Sequence, residues 1–220
     1  MVQQKRAFDT RDRVIDGAAQ AFYRLGYGMA TTSDIVVEAG VTRGAMYFHF
    51  PSKEDLARAI IEKEQLLTAA SSARIVGLDR SAFETMVLLC VDLAERLVKD
   101  PVVRAGVRLT TEVTNFDPPL RAPYELWLET FTALAARAAD QGDFREDLDA
   151  GSFARFFIPA YTGVQLVSDT FSSRIDLLPR LHEMWQFVLP AVASPDRISD
   201  CRDLVDSLIP SFSATAVRAK

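Results

Sequence analysis

The chain has 220 residues, enough to bury a sizeable core in one large or two small domains. It carries 25 Lys and Arg against 30 Asp and Glu, so its formal net charge is −5, and 49% of its residues are apolar, as in an ordinary globular protein. No apolar run reaches the length of a membrane span, and the charged N-terminus lacks the apolar stretch of a signal peptide. We therefore expect a cytoplasmic protein that does not enter a membrane.

Few residues of the chain could support metal or catalytic chemistry. Cys90 and Cys201 form no CxxC pair, and the two histidines, His49 and His182, lie far apart in the sequence. Neither a disulfide nor a metal site is indicated, and no cofactor is expected. The sequence also lacks a nucleophile elbow, a P-loop and a glycine-rich dinucleotide fingerprint, so we expect that the protein is not an enzyme.

The first predicted element is an amphipathic helix over about 8–25, ended by Gly26. Its inner stripe consists of Val14, Ile15, Ala18, Phe22 and Leu25. Two short helices and a tight turn follow in the string TTSDIVVEAGVTRGAMYFHF, which begins at Thr31. Thr32 can cap the first short helix, Gly40 ends it, and Thr42 caps the second. This arrangement predicts a helix-turn-helix.

One face of the second short helix is too polar and too aromatic to be simple core. Arg43 and Tyr47 are four residues apart, as are Gly44 and Phe48, so these four residues share the outward face. Arginine can bind guanine bidentately, glycine permits close approach, and an aromatic edge can contact a thymine methyl. The tyrosine hydroxyl can also donate to a phosphate oxygen. The pattern predicts that this helix enters the major groove of DNA.

The residues that follow these four in the sequence also favour binding to DNA. His49 offers another donor for a phosphate oxygen, and Pro51 stops the helix. Ser52 and Asp55 form a capping pair for a third helix. Lys53 lies in the first turn of that helix, where the helix dipole disfavours a cation, and a phosphate partner would explain its placement.

The charge distribution fits DNA binding at one end only. The first 53 residues carry seven basic and five acidic side chains, a balance of +2, which leaves −7 for the rest of a chain whose total is −5. A weakly basic head on an acidic body fits a protein that binds DNA through the head, with modest non-specific affinity.

The rest of the sequence also predicts helices, and strand-like alternation is absent. An Ala- and Ser-rich stretch at 68–73 predicts a loop or frayed helix near the domain boundary, 115–119 predicts a turn, and Pro159 predicts a kink. The predicted helices cover about 52–70, 81–99, 102–113, 120–141, 152–171, 178–193 and 196–208. The predicted fold class is all-α: an N-terminal three-helix helix-turn-helix domain joined to a larger helical domain.

Two of the later helices carry residues that could line a ligand cavity. Trp127 lies in an apolar stripe that includes Phe131, and a buried tryptophan needs a partner for its N–H group. The helix over about 152–171 is apolar nearly all round but carries Tyr161, Gln165 and Ser168. Such buried polar groups must be satisfied by neighbours or by a ligand, and the spacing leaves both alternatives open.

The complete string from Thr31 to Leu56 resembles the DNA-binding segment of the tetracycline-repressor (TetR) family. A threonine precedes the first short helix, AGVTRGAMYFHF runs through the recognition helix, and SKEDL follows. The resemblance implies contacts to DNA from the residues at the matching positions, and we add the cap residue Thr42 to the predicted set. The matching positions are Thr32, Arg43, Gly44, Ala45, Tyr47, Phe48, His49 and Lys53.

Along nearly its whole length the chain resembles one branch of that family, the γ-butyrolactone autoregulator receptors. The resembling strings include RAFDTRDRVIDGAAQAF, VVRAGVRL, the segment around Trp127 and TGVQLVSDT. The resemblance implies a dimeric repressor that releases a palindromic operator when a diffusible butyrolactone enters a C-terminal cavity, where Trp127 matches the family's tryptophan. It implies a DNA-binding domain at 1–52 and a ligand-binding and dimerisation domain at 53–220, with a linking helix over about 53–70. The predicted ligand-binding residues are Trp127, Phe131, Tyr161, Gln165 and Ser168.

Two alternatives remain at the level of sequence. The first is a TetR-type repressor of an efflux or biosynthetic gene that responds to a drug or another metabolite. The second is a helical adaptor that binds protein rather than DNA. We expect the dimer to form through the helices over about 152–171 and 178–193, because a helix that is apolar on most sides must cover more than its own subunit's core.

Overall fold

The computed structural model describes residues 2–112 and 122–210. Over these ranges the chain forms helices and, apart from an isolated bridge between Phe144 and Ala193, no β-structure. The all-α fold class predicted from the sequence is therefore confirmed. Within the described residues the helices are α1 (Val2–Met29), α2 (Thr32–Ala39), α3 (Arg43–His49), α4 (Lys53–Val76), α5 (Ala82–Lys99), α6 (Pro101–Glu112), α7 (Ala122–Asp140), α8 (Ala150–Ser172), α9 (Leu177–Val192) and α10 (Ile198–Leu208).

The described residues divide into two compact units. Unit 1 comprises residues 2–70 and 99–112, and unit 2 comprises residues 71–98 and 122–210. Helix α6 thus packs with the N-terminal helices, although residues 71–98, earlier in the sequence, and residues 122–210, later in it, belong to unit 2. The functional boundary that we place between residues 52 and 53 stays a prediction. No described helix is long and apolar enough to cross a membrane.

Unit 1 is built around α1. Val14, Ile15, Ala18 and Phe22 are buried as the helical stripe predicts, and Leu25 packs against this core half-buried. Helix α2 approaches α1 closely at Gly17, where an added Cβ would lie 2.4 Å from the backbone nitrogen of Ala39. A glycine is needed at this crossing because no larger side chain fits without a backbone shift.

Helix α6 packs against both α1 and α4 within unit 1. At Gly106 an added Cβ would lie 2.5 Å from Cβ of Glu64, so the two helices α4 and α6 are in close contact there. Glu64 is buried, and its carboxylate accepts a hydrogen bond of 2.6 Å from the hydroxyl of Thr68, one turn further along α4. The close packing of α4 and α6 therefore explains why Gly106, in the middle of VVRAGVRL, is a small residue.

Unit 2 has a core rich in aromatic rings. The ring of Phe157 on α8 stacks on Phe131 of α7 at 5.3 Å and lies 4.6 Å from Trp185 of α9, between ring centroids. Trp185 in turn meets Phe83 of α5 edge-on at 5.4 Å. Offset and edge-on arrangements of this kind are the ones that aromatic pairs prefer.

Several predicted boundaries were wrong. The Ala- and Ser-rich stretch at 68–73 is helical, because alanine favours helix strongly enough to carry α4 on to Val76. Helix α1 does not end at Gly26 but resumes after a break there and continues to Met29. Helix α8 begins at Ala150, capped by Asp149. Pro159 lies inside this helix, and the kink expected there stays a prediction. The predicted turn at 115–119 and the first residues of the predicted helix at 120–141 lie outside the described residues.

Candidate DNA-binding surface and ligand site

The first short helix of the helix-turn-helix is fixed at both ends. Thr31, rather than the predicted Thr32, is its N-cap: the Thr31 hydroxyl accepts a hydrogen bond from the Asp34 N–H at 3.2 Å, and the Asp34 carboxylate accepts from the Thr31 N–H at 2.8 Å. The hydrogen bonds from Thr31 hold the pKa of Asp34 below its ordinary value. At the other end Gly40 adopts a left-handed conformation, φ 59°, which ends α2 as predicted.

The turn that leads to α3 is held from α1. The Arg13 guanidinium donates hydrogen bonds to the carbonyls of Ala39 and Gly40, which have no partner within α2 itself. The N–H of Val41 donates to the Val36 carbonyl at 3.2 Å, and the Val41 side chain packs against the core of unit 1. Sequence reasoning missed Arg13, because nothing in the local pattern of an amphipathic helix indicates which distant carbonyls an arginine will reach.

Helix α3 presents its predicted outward face to solvent. Its N-cap is Thr42, whose hydroxyl accepts from the Ala45 N–H at 3.2 Å, while Met46 is buried beneath it. The four residues predicted to share the outward face are all exposed, namely Arg43, Gly44, Tyr47 and Phe48. Phe48 and Tyr47 are exposed by 81% and 42%.

The other predicted DNA-binding residues of α2 and α3 include Thr32, Ala45 and His49. The Arg43 guanidinium donates a hydrogen bond of 3.1 Å to the hydroxyl of Thr32 on α2, so the structure brings these two residues together. His49 is half-buried against the ring of Phe48, and Ala45 is half-buried on the inner side of α3. All of these side chains belong to unit 1.

Lys53, the first residue of α4, is held by contacts within the chain. Its ammonium lies 4.5 Å from the ring centroid of Tyr27 and 3.4 Å from the Gly28 carbonyl oxygen. Partial burial lowers its pKa. A phosphate partner is therefore not required to explain a cation in the first turn of α4, since the π-face and the carbonyl stabilise it there.

The five predicted ligand-binding residues all lie in unit 2 but do not share one role. Trp127 is half-buried and packs 5.8 Å from Phe131, at one end of the aromatic cluster. The hydroxyl of Tyr161 donates to the Cys90 carbonyl at 2.8 Å, and the hydroxyl of Ser168 lies 2.5 Å from the carboxylate of Asp176. For these two residues the neighbours satisfy the polar groups.

Two buried polar atoms near the same helices have no hydrogen-bond partner among the described residues. They are the amide oxygen Oε1 of Gln165 and the indole nitrogen Nε1 of Trp185, both on side chains more than nine-tenths buried. A polar group of a ligand or a water molecule would satisfy them. Sequence reasoning did not include Trp185 in the site, although its place on the apolar stripe of α9 predicts a buried ring.

A separate opening in unit 2 has a volume of about 460 Å³ and contains none of the five predicted residues. Within it, the Arg197 guanidinium pairs with the carboxylates of Asp143 at 3.1 Å and Asp200 at 2.6 Å. Burial raises the pKa of the neighbouring Cys201 thiol to about 11, so this cysteine stays protonated at neutral pH.

A capped, outward-facing second helix after a glycine turn, followed along the chain by a second helical unit, is typical of helix-turn-helix regulators. Residues 14–60 match the family of bacterial regulatory proteins, tetR family, and residues 80–194 match the tetracyclin repressor-like C-terminal domain. The chain belongs to the TetR family of transcriptional regulators.

Individual relatives are similar over most of both chains. The A-factor receptor protein of Streptomyces griseus is 33% identical over 199 residues, which cover 90% of this chain and 69% of that protein. A crystal structure of a gamma-butyrolactone receptor (ArpA-like protein) superposes with a TM-score of 0.81 at 34% identity, over 92% of this chain and 98% of the other. CprB from Streptomyces coelicolor in complex with its operator gives a TM-score of 0.84 at 34% identity, over 94% and 100% of the two chains.

Proposed function

We propose that this protein is a transcriptional repressor that binds a palindromic operator as a homodimer and is released by a small γ-butyrolactone-like signal. The observation that carries the proposal is the exposed face of α3, where Arg43, Gly44, Tyr47 and Phe48 lie on a capped helix with no role in the core. The similarity to the A-factor receptor and to operator-bound CprB supports it. The proposal includes no catalytic step, and binding to a bacterial operator places the protein in the cytoplasm.

The chemistry of the face matches what the major groove offers. Arg43 presents a planar guanidinium with paired N–H donors, which suits the O6 and N7 acceptors of guanine. Gly44 has open space where a Cβ would be, so its helix surface can approach DNA closely. Tyr47, together with Thr32 and Lys53 at the edges, can donate to phosphates and so position the helix. We assign the DNA-binding domain to residues 1–52 on this basis.

The direct test is selection of DNA by the purified protein. Full-length protein is used to enrich duplexes from a randomised pool, and the enriched sequences are expected to contain an inverted repeat. Tyr47→Ala is expected to lose most of the affinity for that repeat in gel shifts, because it removes a donor from the exposed face. Leu78→Ala, an exposed apolar side chain in unit 2, serves as the control and is expected to bind like the wild type. Enrichment of no sequence would contradict the proposal.

The dimer is expected to form through α8 and α9. Both helices bury one face in unit 2 and still expose large apolar side chains, among them Phe156 and Phe171 of α8 and Phe187 of α9, exposed by 61%, 79% and 85%. Covering such side chains with a symmetric copy removes apolar surface from water. A monomer in sedimentation at micromolar concentration would contradict this part of the proposal.

The signal site is proposed near Trp127 and Gln165. The carbonyl oxygen of the Gln165 amide is an acceptor and the indole N–H of Trp185 is a donor, and a lactone supplies acceptors for the latter. The aromatic rings around Phe131 and Phe157 suit an apolar tail. The test compares release of the selected operator by a γ-butyrolactone with an alkyl chain and by a flat cationic drug. Release by the drug alone would replace the butyrolactone with another class of signal.

A further inference from the structure

The turn between α2 and α3 is built on a glycine. Gly40 adopts φ 59° and ψ 40°, a conformation that residues with a side chain rarely adopt. Glycine populates other conformations about as readily, so the residue that permits this turn does not by itself keep the chain in it. The Val41 side chain packs against the core of unit 1, but apolar packing is non-directional and does not orient the peptide groups at 39 and 40.

Arg13 of α1 supplies directional contacts at this turn. Its Nη2 donates hydrogen bonds to the carbonyl of Ala39, at 3.1 Å, and to the carbonyl of Gly40. Both carbonyls lie at the end of α2, where the helix has no further turn to supply donors. Hydrogen bonds from a charged donor are about twice as strong as neutral ones and depend on angle. The Arg13 contacts therefore favour one orientation of two successive peptide groups.

The place of Arg13 on α1 suits this role. Gly17, one turn further along the same face of α1, lies against Ala39, because an added Cβ at Gly17 would be 2.4 Å from the Ala39 nitrogen. Helix α1 thus contacts the last residue of α2 through both its backbone and a guanidinium. An added Cβ at Gly40 would lie 3.1 Å from Nη2 of Arg13, so the guanidinium is also close to the turn glycine. Arg13 is exposed, and its contacts act on the turn rather than on the core.

We propose that Arg13 is a positioning residue for operator binding, whose two hydrogen bonds keep the turn in the conformation that directs α3 into the major groove. Arg13 does not contact DNA in this proposal. Only the fraction of molecules with α3 in that direction binds the operator specifically, so the apparent affinity falls with that fraction. The inference rests on the proposed function, since it assigns how the same DNA-binding surface is held.

The test compares two duplexes of equal length at one salt concentration. The first carries the inverted repeat selected by the wild-type protein, the second has a scrambled sequence, and the readout is the ratio of the two affinities. A smaller folded fraction or a lost phosphate contact lowers both affinities alike, whereas a misdirected α3 lowers mainly the affinity for the selected repeat. Arg13→Met is expected to lower the ratio about tenfold. Arg13→Lys keeps a charged donor and is expected to lower the ratio less.

Arg24→Met is the matched control. Arg24 also lies on α1, is exposed, and joins α1 to α2 through an ion pair of 2.7 Å with Glu38. Its partner is a side chain rather than the backbone of the turn, and exposed ion pairs contribute little to stability. Arg24→Met is therefore expected to leave the ratio unchanged.

A second readout does not involve DNA. The Val41 N–H donates to the Val36 carbonyl at 3.2 Å across the turn, and its hydrogen exchange is expected to be faster in Arg13→Met than in Arg24→Met. If Arg13→Met does not fold, Arg13→Gln, which is polar but shorter, replaces it. Unchanged exchange, a wild-type ratio or an equal loss for both duplexes overturns the inference. If the wild type itself selects no repeat, the proposed function fails instead, while the exchange of Val41 still tests the contact of Arg13 with the turn.

Discussion

Nη2 of Arg43 donates a hydrogen bond of 3.1 Å to the hydroxyl of Thr32, which joins a side chain of α3 to one of α2. Both residues are predicted to contact DNA, one at a base and the other at a phosphate. The hydrogen bond favours one orientation of the arginine before DNA is present. An arginine ordered in advance loses less side-chain entropy on binding, so Thr32 can contribute to affinity through Arg43 as well as directly.

Arg43→Ala is expected to weaken binding to the selected operator by about 1–3 kcal/mol and to relax specificity at one base pair. The physical reason is the loss of a bidentate donor at a base edge. Binding is measured by gel shift on a set of single-base operator variants. Thr32→Val keeps the shape of the side chain and removes its hydroxyl, so a smaller loss without relaxed specificity is expected. If Arg43→Ala binds every operator variant as the wild type does, Arg43 does not read a base.

Gly44→Val is expected to abolish operator binding while leaving the fold intact. No atom lies within 4 Å of the position that a Cβ would take at Gly44, so the substitution creates no clash within the chain. The added side chain would instead stand between α3 and the groove. Circular dichroism checks the fold, and fluorescence anisotropy of labelled operator measures affinity, with Gly44→Ala expected to lie between wild type and Gly44→Val. Wild-type affinity in both variants would exclude close approach at this position.

Gly17→Ala is expected to destabilise unit 1 by about 1–3 kcal/mol, because its Cβ would lie 2.4 Å from the backbone nitrogen of Ala39. Relief requires α1 and α2 to move apart, since the clashing atom belongs to the backbone. Urea unfolding measures the change, and Gly44→Ala is the matched control in open space. An unchanged unfolding midpoint would mean that the crossing of α1 and α2 adjusts at no cost.

Asp34→Ala is expected to destabilise α2 at neutral pH but not in acid. The Thr31 hydrogen bonds lower the pKa of Asp34, so the ionised carboxylate contributes stability above the ordinary aspartate pKa, and this contribution is lost as pH falls through the lowered value. The difference in unfolding free energy between wild type and variant should therefore shrink in acid. Thr31→Val should raise the pKa of Asp34 towards its ordinary value in an NMR titration. A difference that persists in acid would assign the effect to something other than the charged cap.

Trp127→Ala is expected to leave operator binding unchanged and to raise the concentration of an alkyl γ-butyrolactone needed for release. Trp127 is half-buried beside Phe131, and the buried Trp185 supplies the N–H donor of the proposed site, so the ligand should change the fluorescence of both tryptophans. Trp185→Phe isolates the Trp127 fluorescence and, because it removes the indole donor, is itself expected to weaken the response to the butyrolactone. Release of the variant at the wild-type concentration would place the signal site elsewhere.

The sequence alone determined the elements whose signals are local. The stripe from Val14 to Phe22 marked the buried face of α1, and Gly40 and Thr42 marked the turn between α2 and α3. These predictions succeeded because helical periodicity and capping depend on residues three or four positions apart. The outward face of α3 was predictable for the same reason, since four residues on one short helix must share a side.

Only the tertiary structure decided how distant side chains are paired. The hydrogen bond from Arg108 to the Tyr23 carbonyl joins residues 85 positions apart, and the hydrogen bond from Tyr161 to the Cys90 carbonyl joins residues 71 positions apart. Sequence spacing carries no signal for such pairs, because they depend on how helices cross. The same limit applies to the predicted ligand site. Periodicity could place Tyr161, Gln165 and Ser168 on one helix, but only packing decided that two of them are satisfied by neighbours while Gln165 keeps a buried oxygen without a described partner.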